Sequence, residues 1–434
     1  MLISFTVENW MSFRDKTTFS MVAGEDEQHL DRVPEPLGFE SRVLPFAAIF
    51  GSNSSGKSAF CHALGFLKNL VVHGTRAGEA TGVMPYLADN EYTQRPSSFC
   101  IEVLIKDVLY EFSVKLNARE ILEEKLVRTV DDRQSVLYFR YDGEMHFSDQ
   151  LSELDFLNFA FRGTRSNQLF ITNTVMQSIS VLRPLYDWFN DSLILLTPDC
   201  PFEPFYSLYD EADTFLAAMN QALSVMGTGI VRLDLRDAVW ENLQLPGNLK
   251  DQIERDASEG RYVHFALASS HERYIATRSE GVMQLRRMVT VHAGRGRSEF
   301  TLELSQESSG VRQLLNLLPA FIDLCIQGTD RLYVVDGFEH SLHPLLVRSM
   351  IKGYLAYCTE LSRMQLVMTT HDVELLDFEV VRPDEIWFTD RSSGGATFLT
   401  PLIECPESRN VEDLREDYLK GILGSIPNFK YRGR

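Results

Sequence analysis

Residues 51–58 read Gly51-Ser52-Asn53-Ser54-Ser55-Gly56-Lys57-Ser58, which is the pattern G-x-x-x-x-G-K-S. The preceding residues, 45–50, are apolar like a short buried strand, and residues 57–72 carry apolar side chains at helical spacing. A strand, a glycine-rich turn and a helix N-terminus form a phosphate-binding loop, the P-loop, so a chance Gly/Ser loop is the weaker interpretation. Backbone N–H groups and the helix dipole would hold the phosphates. We expect Lys57 to reach the β- and γ-phosphates and the Ser58 hydroxyl to bind Mg²⁺.

Length and composition indicate an ordinary globular protein. At 434 residues the chain is long enough for two or three domains, or for one domain with a large insertion. Hydrophobic residues make up 44% and charged residues 24%, and no apolar run approaches the roughly 18 residues that span a bilayer. The six cysteines form no C-x-x-C pair and the N-terminus has no secretory pattern. We therefore expect reduced thiols, no zinc site and a cytoplasmic location.

The charge balance disfavours a constitutive DNA-binding protein. The formal net charge of −19 repels a nucleic-acid backbone in the mean field. One basic cluster stands out, at Arg286, Arg287, Arg295 and Arg297. A solvated hairpin edge is the favoured interpretation of this cluster, and a nucleic-acid contact is the alternative.

The hydrophobic pattern changes several times along the chain. Alternating residues over 97–147 predict an antiparallel meander, and helical spacing predominates from 152 to about 258. Residues 261–304 return to strand-like segments. From Ser308 onward, helices alternate with uninterrupted apolar strands, which is typical of a sheet covered on both faces.

A second half of the predicted nucleotide site follows the strand at 332–335. This strand, Leu-Tyr-Val-Val, ends in Asp336. Four apolar residues followed by an aspartate match the Walker B arrangement, in which a carboxylate at the edge of a sheet holds Mg²⁺ through water. The alternative is a strand that simply ends in a polar residue. The P-loop upstream favours the Walker B interpretation.

The residues after Asp336 carry a family resemblance. They read Gly337-Phe338-Glu339-His340-Ser341-Leu342-His343-Pro344, and the chain here resembles the SMC/RecF/OLD-like ABC-type ATPases, most closely the abortive-infection (anti-phage defence) ATPases of the RloA/AbiL type. The similarity extends over motifs at both ends of the chain, whereas residues from about 150 to 300 carry little of it. The matching motifs are Val7-x-Asn9-x-x-Ser12-Phe13-Arg14, the P-loop, Ser308-Ser309-Gly310, Thr369-Thr370-His371-Asp372, Asp384 to Thr389, and Tyr418 to Pro427.

The resemblance implies a fold and its division into domains. The fold class is α/β, a P-loop ABC-ATPase-type head whose mixed, largely parallel sheet is flanked by helices, with an antiparallel β meander and a helical insertion. The head would comprise residues 1–95 and 300–434. Residues 96–150 would form its antiparallel β subdomain, and residues 151–299 a mainly helical insertion with returning strands.

The resemblance also implies roles for individual residues. Ser308, Ser309 and Gly310 would be a degenerate ABC signature that donates to the γ-phosphate of ATP held by a second subunit, although an ordinary serine N-cap is the alternative. The segment 341–344 would be the D-loop, which faces the partner subunit. His371 would be the switch histidine that senses the γ-phosphate, and Arg14 would approach the phosphates.

One departure from the family pattern concerns catalysis. The family has glutamate directly after the Walker B aspartate, as the base that polarises the attacking water, and this chain has Gly337 there. Loss of a positioned general base costs about 10²–10⁴ in rate. Either Glu339 or another carboxylate substitutes and hydrolysis is slow, or the protein binds ATP as a long-lived clamp.

Two classes of function follow from these motifs. The first is an ATPase whose two heads sandwich Mg-ATP in a homodimer or higher homo-oligomer. The second is a nucleotide-gated scaffold that holds a separate effector, a nuclease or toxin. We expect the effector to be separate because the chain ends soon after its last strand and the inserted region shows no catalytic constellation. The resemblance implies bacterial anti-phage defence. A RecF-like DNA-repair ATPase remains an alternative, whereas a membrane role is not expected.

Overall fold

The structure is a computed structural model of the chain. It describes residues 1–197, 212–243, 245, 247–257, 262–267, 272–296, 298–326, 328–405 and 414–423. Arg297, Cys200 and the last part of the predicted closing motif, 424–427, lie outside the described residues. In the part of the chain that the structure describes, no helix combines the length and the apolar character that crossing a membrane requires.

Contacts between residues divide the chain into two compact units. The first unit contains the described residues of 1–197, 328–338 and 351–423, and the second those of 212–326 and 339–350. The domain limits expected from the sequence differ from these limits, because residues 151–197 of the expected insertion belong to the first unit.

Strands and α-helices follow each other along the chain. The strands are β1 (Leu2–Glu8), β2 (Thr17–Ser20), β3 (Phe46–Phe50), β4 (Ser97–Ile105), β5 (Val108–Leu116), β6 (Ile121–Val130), β7 (Arg133–Tyr141), β8 (Glu144–Phe147), β9 (Leu193–Leu196), β10 (Ile230–Ala238), β11 (Val263–Ala266), β12 (Arg273–Ser279), β13 (Val282–Ala293), β14 (Glu299–Glu303), β15 (Leu332–Val335), β16 (Gln365–Thr370), β17 (Ile386–Arg391) and β18 (Thr397–Pro401). The α-helices are α1 (Lys57–Val72), α2 (Asn90–Gln94), α3 (Asp149–Ser152), α4 (Asp155–Arg162), α5 (Phe170–Met176), α6 (Arg183–Asp187), α7 (Ala212–Ser224), α8 (Gly247–Asp256), α9 (Ser309–Leu324), α10 (Pro344–Tyr357) and α11 (Leu414–Leu419).

The first unit contains two sheets. One is antiparallel and has the strand order β2-β1-β4-β5-β6-β7-β8. The other has the order β18-β17-β3-β16-β15-β9, in which β17, β3, β16, β15 and β9 run parallel and β18 is antiparallel at the edge. The central strands β3 and β16 are buried along their whole length, and β3 is accordingly apolar throughout.

Helix α1 packs against the antiparallel sheet through aromatic residues. Phe60 of α1 meets Phe5 and Phe19 edge-on, with ring centroids 5.8 and 5.0 Å apart. The indole Nε1 of Trp10, in the turn after β1, donates to the Ala59 carbonyl at 3.1 Å. Burial of each large aromatic side chain stabilises such an interface by about 1.5–3 kcal/mol. The N-terminal residues thereby fix the helix that the P-loop precedes.

The second unit has its own sheet and core. Its strands follow the order β10-β13-β12-β11, and β14 also pairs with β13. A buried cluster around Trp240, Val263 and Phe265 forms a core there. Helix α9, which begins at the predicted signature segment, belongs to this unit.

The elements around the predicted site agree with the sequence. The structure confirms a helix at 57–72, a strand at 332–335, the alternation of helices and strands after Ser308, and the antiparallel meander over 97–147. Helices predominate among the described residues from 152 to about 258, as expected, but β9 and β10 also lie in that stretch and were not predicted. Both strands take their place through pairing with distant partners, β9 with β15 and β10 with β13.

Candidate nucleotide site

The P-loop connects the buried end of β3 to the first turn of α1. Its backbone is left-handed at Ser54 (φ 64°) and at Gly56 (φ 118°), the N-cap of α1. The Lys57 ammonium donates to the carbonyl of Gly51 and to that of Ser52, the latter at 2.9 Å. Ser58 is exposed in the first helical turn. A turn of this kind directs successive N–H groups to one side and suits an anion.

Three neighbouring parallel strands end at the same edge of the sheet. Strand β16 lies between β3 and β15, with Thr370 opposite Phe50 and Met368 opposite Val335. The P-loop follows β3, His371 follows β16, and Asp336 follows β15. The fold therefore brings together three of the sequence-predicted groups at the carboxyl ends of adjacent strands, where open α/β sheets bind ligands.

Asp336 is a buried carboxylate with a fixed orientation. Its side chain is 8% exposed, and Oδ1 accepts a hydrogen bond from Thr369 Oγ1 at 2.6 Å. The same hydroxyl accepts the N–H of Gly337 at 2.8 Å, and the N–H of Asp336 donates to the Leu196 carbonyl at 2.8 Å. Thr369 was not predicted as a site residue, and no spacing in the sequence shows that β16 lies beside β15.

The carboxylate also acts on α1 electrostatically. The pKa of the Cys61 thiol, one turn into the helix after Lys57, is raised well above its ordinary value. Burial is the main cause of the raised pKa, and the negative charge of Asp336 is the next. The Asp336 carboxylate therefore lies close enough to the start of α1 to influence the ionisation of Cys61.

The residues present fit a magnesium ion. Mg²⁺ prefers hard oxygen ligands and keeps several waters, so one carboxylate and one hydroxyl beside phosphates are a sufficient protein contribution. Asp336 supplies the carboxylate, which Thr369 keeps in one orientation. Ser58 supplies an exposed hydroxyl at the start of α1. When bound, the ion would neutralise charge on the phosphates.

Gly337 occupies a conformation that disfavours other residues. Its φ is 65°, in the left-handed region, and it belongs to the turn that follows β15. A residue with a Cβ pays about 1–2 kcal/mol to adopt this conformation. Gly337, at the position where the resemblance implies glutamate, is therefore part of a local turn. A glutamate at this position would also require a change of the backbone.

Arg14 forms its polar contacts with neighbouring residues of the first unit. Its guanidinium is paired with Asp15 at 2.8 Å and lies 5.9 Å from the centre of the Tyr92 ring. The predicted approach of Arg14 to the phosphates would require it to exchange these contacts. Its role at the nucleotide stays a prediction.

The predicted signature segment begins helix α9 in the second unit. Ser308 is the N-cap, and its Oγ accepts the N–H of Val311 at 3.2 Å. Ser308 and Ser309 are both exposed. The preceding residue, Glu307, is buried and accepts a hydrogen bond from His292 Nε2 at 2.7 Å. The entrance to α9 is anchored while its two serines face outward.

The signature and D-loop segments touch each other. A Cβ at Gly310 would lie 2.7 Å from the carbonyl oxygen of Ser341, closer than real Cβ contacts allow. Ser341 itself has φ 61°, an uncommon conformation for a serine. The two segments that the resemblance assigns to the partner-facing surface are therefore packed backbone to backbone within the second unit.

Glu339 also belongs to the second unit. It is half-buried, and its carbonyl accepts the N–H of Leu342 at 2.9 Å in the turn that leads to α10. Its predicted role as a substitute base stays a prediction.

A known protein family matches the part of the chain that contains the candidate site. Residues 46–377 match the family model described as AAA domain, putative AbiEii toxin, Type IV TA system. The curated proteins that were compared include no match. Among solved structures, the chain is similar to the SMC head domain from Thermotoga maritima, with 12% identity, a TM-score of 0.37, and coverage of 92% of this chain and 98% of that one. It is also similar to the SmcHead bound to the C-winged helix domain of ScpA, with 12% identity, a TM-score of 0.41, and coverage of 92% and 97%.

The family match extends over most of the chain and includes both the P-loop and Asp336. It supports the predicted class as a P-loop protein with an AAA domain, while the closer resemblance to the RloA/AbiL type stays a prediction. The chain belongs to the AAA-domain family described as putative AbiEii toxin, Type IV TA system.

Proposed function

We propose that this protein binds Mg-ATP through residues 51–58, dimerises around the nucleotide, and hydrolyses it slowly. Through this cycle it would regulate a separate effector protein in bacterial anti-phage defence. The observation that carries the proposal is the edge of the parallel sheet, where the P-loop, His371 and Asp336 follow three adjacent strands.

Each residue has a defined task in this proposal. The amides of the P-loop and the Lys57 ammonium hold the phosphates, and Asp336 and Ser58 hold Mg²⁺. His371, exposed after β16, senses the γ-phosphate. The exposed serines 308 and 309 of a second copy donate to that phosphate from the N-terminus of α9, where N–H groups and the dipole favour an anion.

Nucleotide binding of this kind is sufficient to drive assembly. A ligand that binds only the dimer stabilises it by RT ln(1 + [L]/Kd), about 2.7 kcal/mol at a hundredfold excess over Kd. Hydrolysis or release of ATP would remove that contribution and open the dimer.

The defence role rests on the family and on the resemblance. The matched family is described as a putative toxin of a type IV toxin–antitoxin system. A partner that carries the toxic or nuclease activity suits a chain with a net charge of −19, because a basic protein surface would be attracted to it. The scattered cysteines support a cytoplasmic location.

A second candidate function is a nucleotide-gated clamp that hardly hydrolyses ATP. The left-handed conformation of Gly337 favours it, because the position where the family places its general base is built as a glycine turn. The phosphates and Mg²⁺ would still be held, since their ligands do not include residue 337.

The DNA-repair alternative loses support from the acidic residues that lie beside two of the arginines. Arg287 forms an ion pair with Glu303 at 2.7 Å, and Arg286 lies opposite Asp237 in the β10–β13 ladder. Arg295 is exposed. Acidic partners reduce the attraction of such a surface for phosphates.

Sedimentation velocity with and without Mg-ATP tests the proposal, alongside a phosphate-release assay. We expect wild-type protein to dimerise with ATP, Lys57→Ala to stay monomeric, and Ser309→Arg to bind ATP without dimerising. Ser224→Arg, at an exposed serine of α7 in the same unit, is the matched control and should dimerise normally. Normal dimers of Ser309→Arg would contradict the shared site, and DNA-stimulated turnover would favour the repair function.

A further inference from the structure

We propose that Thr389 and Thr397, on the hairpin formed by β17 and β18, are positioning residues that hold the P-loop in its phosphate-binding conformation. The inference rests on the proposed binding of nucleotide by residues 51–58. It adds two residues that neither the motif nor the family match assigns.

Thr389 supports the loop from β17. It is fully buried, and its Oγ1 lies 3.1 Å from the Phe50 carbonyl and 2.6 Å from Ser55 Oγ. A carbonyl can only accept, so the single hydroxyl proton of Thr389 goes to Phe50. Ser55 is then the donor to Thr389. One threonine thus ties the last residue of β3 to the middle of the P-loop.

Thr397 supports the loop from β18. Its Oγ1 lies 2.8 Å from the Ser55 carbonyl and 2.8 Å from Ser12 Oγ, and its N–H donates to the Ser12 carbonyl at 2.7 Å. Thr397 Oγ1 is the donor toward both oxygens, and its single proton serves one of them at a time. Both the side chain and the carbonyl of Ser55, which is 2% exposed, are thereby bonded to the hairpin.

The two threonines also account for the glycines of the motif. A Cβ at Gly51 would overlap Thr389 Oγ1, and a Cβ at Gly56 would overlap Thr397 Oγ1 and its methyl group. The loop therefore rests directly on these two side chains. Gly51 and Gly56 are required by this close approach as well as by any bound phosphate.

A loop with left-handed residues needs such support to keep its shape. Ser54 has φ 64°. This conformation costs a serine conformational energy and persists only where surrounding contacts enforce it. The hairpin hydroxyls bond to the next residue, Ser55, on both its side chain and its carbonyl. Loss of the two threonine hydroxyls should not unfold the protein, but it should let the P-loop adopt other conformations. The apparent affinity for nucleotide would then fall.

The test compares Thr389→Val and Thr397→Val with wild type by titration of Mg-ADP and of a fluorescent ATP analogue. Valine keeps the β-branched shape and removes the hydroxyl. We expect the Kd of each variant to rise about three- to tenfold, as loss of one buried hydrogen bond implies. Thr389→Ser and Thr397→Ser keep the hydroxyl and should restore affinity to within about twofold of wild type, which a purely structural effect of the valines would not predict.

Thr400→Val is the matched control. It lies three residues along the same strand as Thr397 and so on the opposite face of β18. We expect this variant to bind like wild type. If a valine variant does not fold, Ser55→Ala is tested in its place, because this change removes only the side-chain donor to Thr389. Ser55→Ala should weaken nucleotide binding about two- to fivefold.

The outcomes separate this inference from the proposed function. Wild-type protein that binds no nucleotide overturns both. Wild-type protein that binds, together with Thr389→Val and Thr397→Val variants of unchanged Kd, overturns the positioning role alone.

Discussion

Thr369 Oγ1 donates to Asp336 Oδ1 at 2.6 Å. The same hydroxyl oxygen accepts the N–H of Gly337, the residue after Asp336, at 2.8 Å. One buried hydroxyl therefore fixes both the carboxylate predicted to hold Mg²⁺ and the start of the turn after it. Phe338 N–H donates to the Thr369 carbonyl at 3.1 Å and completes the link between β16 and this turn.

Thr369→Val should weaken the magnesium dependence of nucleotide binding. The change keeps the side-chain shape but leaves Asp336 free to rotate and the Gly337 N–H without its acceptor, a loss of about 1 kcal/mol or more. We expect the Mg²⁺ concentration at half-maximal ATP binding to rise roughly five- to tenfold. Thr369→Ser is the control, and an unchanged Mg²⁺ titration in the valine variant would show that the hydroxyl does not orient Asp336.

Gly337→Glu should destabilise the protein. The φ of 65° makes a glutamate strained there by about 1–2 kcal/mol, whereas asparagine tolerates this conformation better. We expect thermal unfolding to give a lower Tm for Gly337→Glu than for Gly337→Asn. If Gly337→Glu also raises turnover, the missing base limits hydrolysis, and an unchanged Tm would show that the turn relaxes.

Gly310→Ala should disturb the contact between the signature and D-loop segments. The added methyl would lie 2.7 Å from the Ser341 carbonyl oxygen, so the backbone must shift. We expect a loss of about 1–3 kcal/mol in the free energy of unfolding, by analogy with overpacking. Gly353→Ala, in helix α10 where a Cβ meets nothing within 4 Å, should instead stabilise by about 0.5–1 kcal/mol. Urea unfolding of both variants measures these changes in the free energy of unfolding. Equal changes for the two variants would contradict the close contact between Gly310 and Ser341.

A buried charge network makes stability depend on pH. Glu385 is fully buried, and its Oε2 accepts from the Arg382 N–H and from Arg32, each at 2.8 Å. In the described structure its other oxygen, Oε1, has no hydrogen-bond partner. Burial raises the pKa of Glu385 from 4.5 to about 7, and the charge of Arg32 opposes the shift.

The sign of the effect follows from proton linkage. Because the native state binds this proton more tightly than the unfolded chain, the contribution of Glu385 to stability is complete below pH 4.5 and is lost as the pH rises through about 7. The loss is on the order of 3 kcal/mol. Urea unfolding between pH 5 and 8 should show that the free energy of unfolding falls less with rising pH for Glu385→Gln than for wild type. For Glu404→Gln, at an exposed site, the free energy of unfolding should fall as much as it does for wild type.

Much of the nucleotide site was predictable because its elements have strong local patterns. Helix α1 and strand β15 begin and end where the sequence indicates. Strand β10 was missed although Arg232, Asp234 and Arg236 alternate with apolar residues, because a short alternation needs its partner β13 to become a strand.

The supports of the site were not predictable in the same way. Thr369 reaches Asp336 because β16 lies beside β15, and Thr389 reaches Ser55 because β17 lies beside β3. No spacing along the chain encodes these neighbours, which arise from the order of strands in the sheet. The φ of Gly337 likewise depends on the turn that the folded strand imposes.

The central claim is that residues 51–58 hold a nucleoside triphosphate with Mg²⁺. Calorimetric titration of wild-type protein and of Lys57→Ala with a non-hydrolysable ATP analogue and Mg²⁺ tests it most directly. We predict saturable binding by wild type and a loss of at least about a hundredfold in affinity for Lys57→Ala, since a charge-assisted contact to phosphate is removed. Equal affinity of the two proteins, or no binding by wild type, would contradict the account.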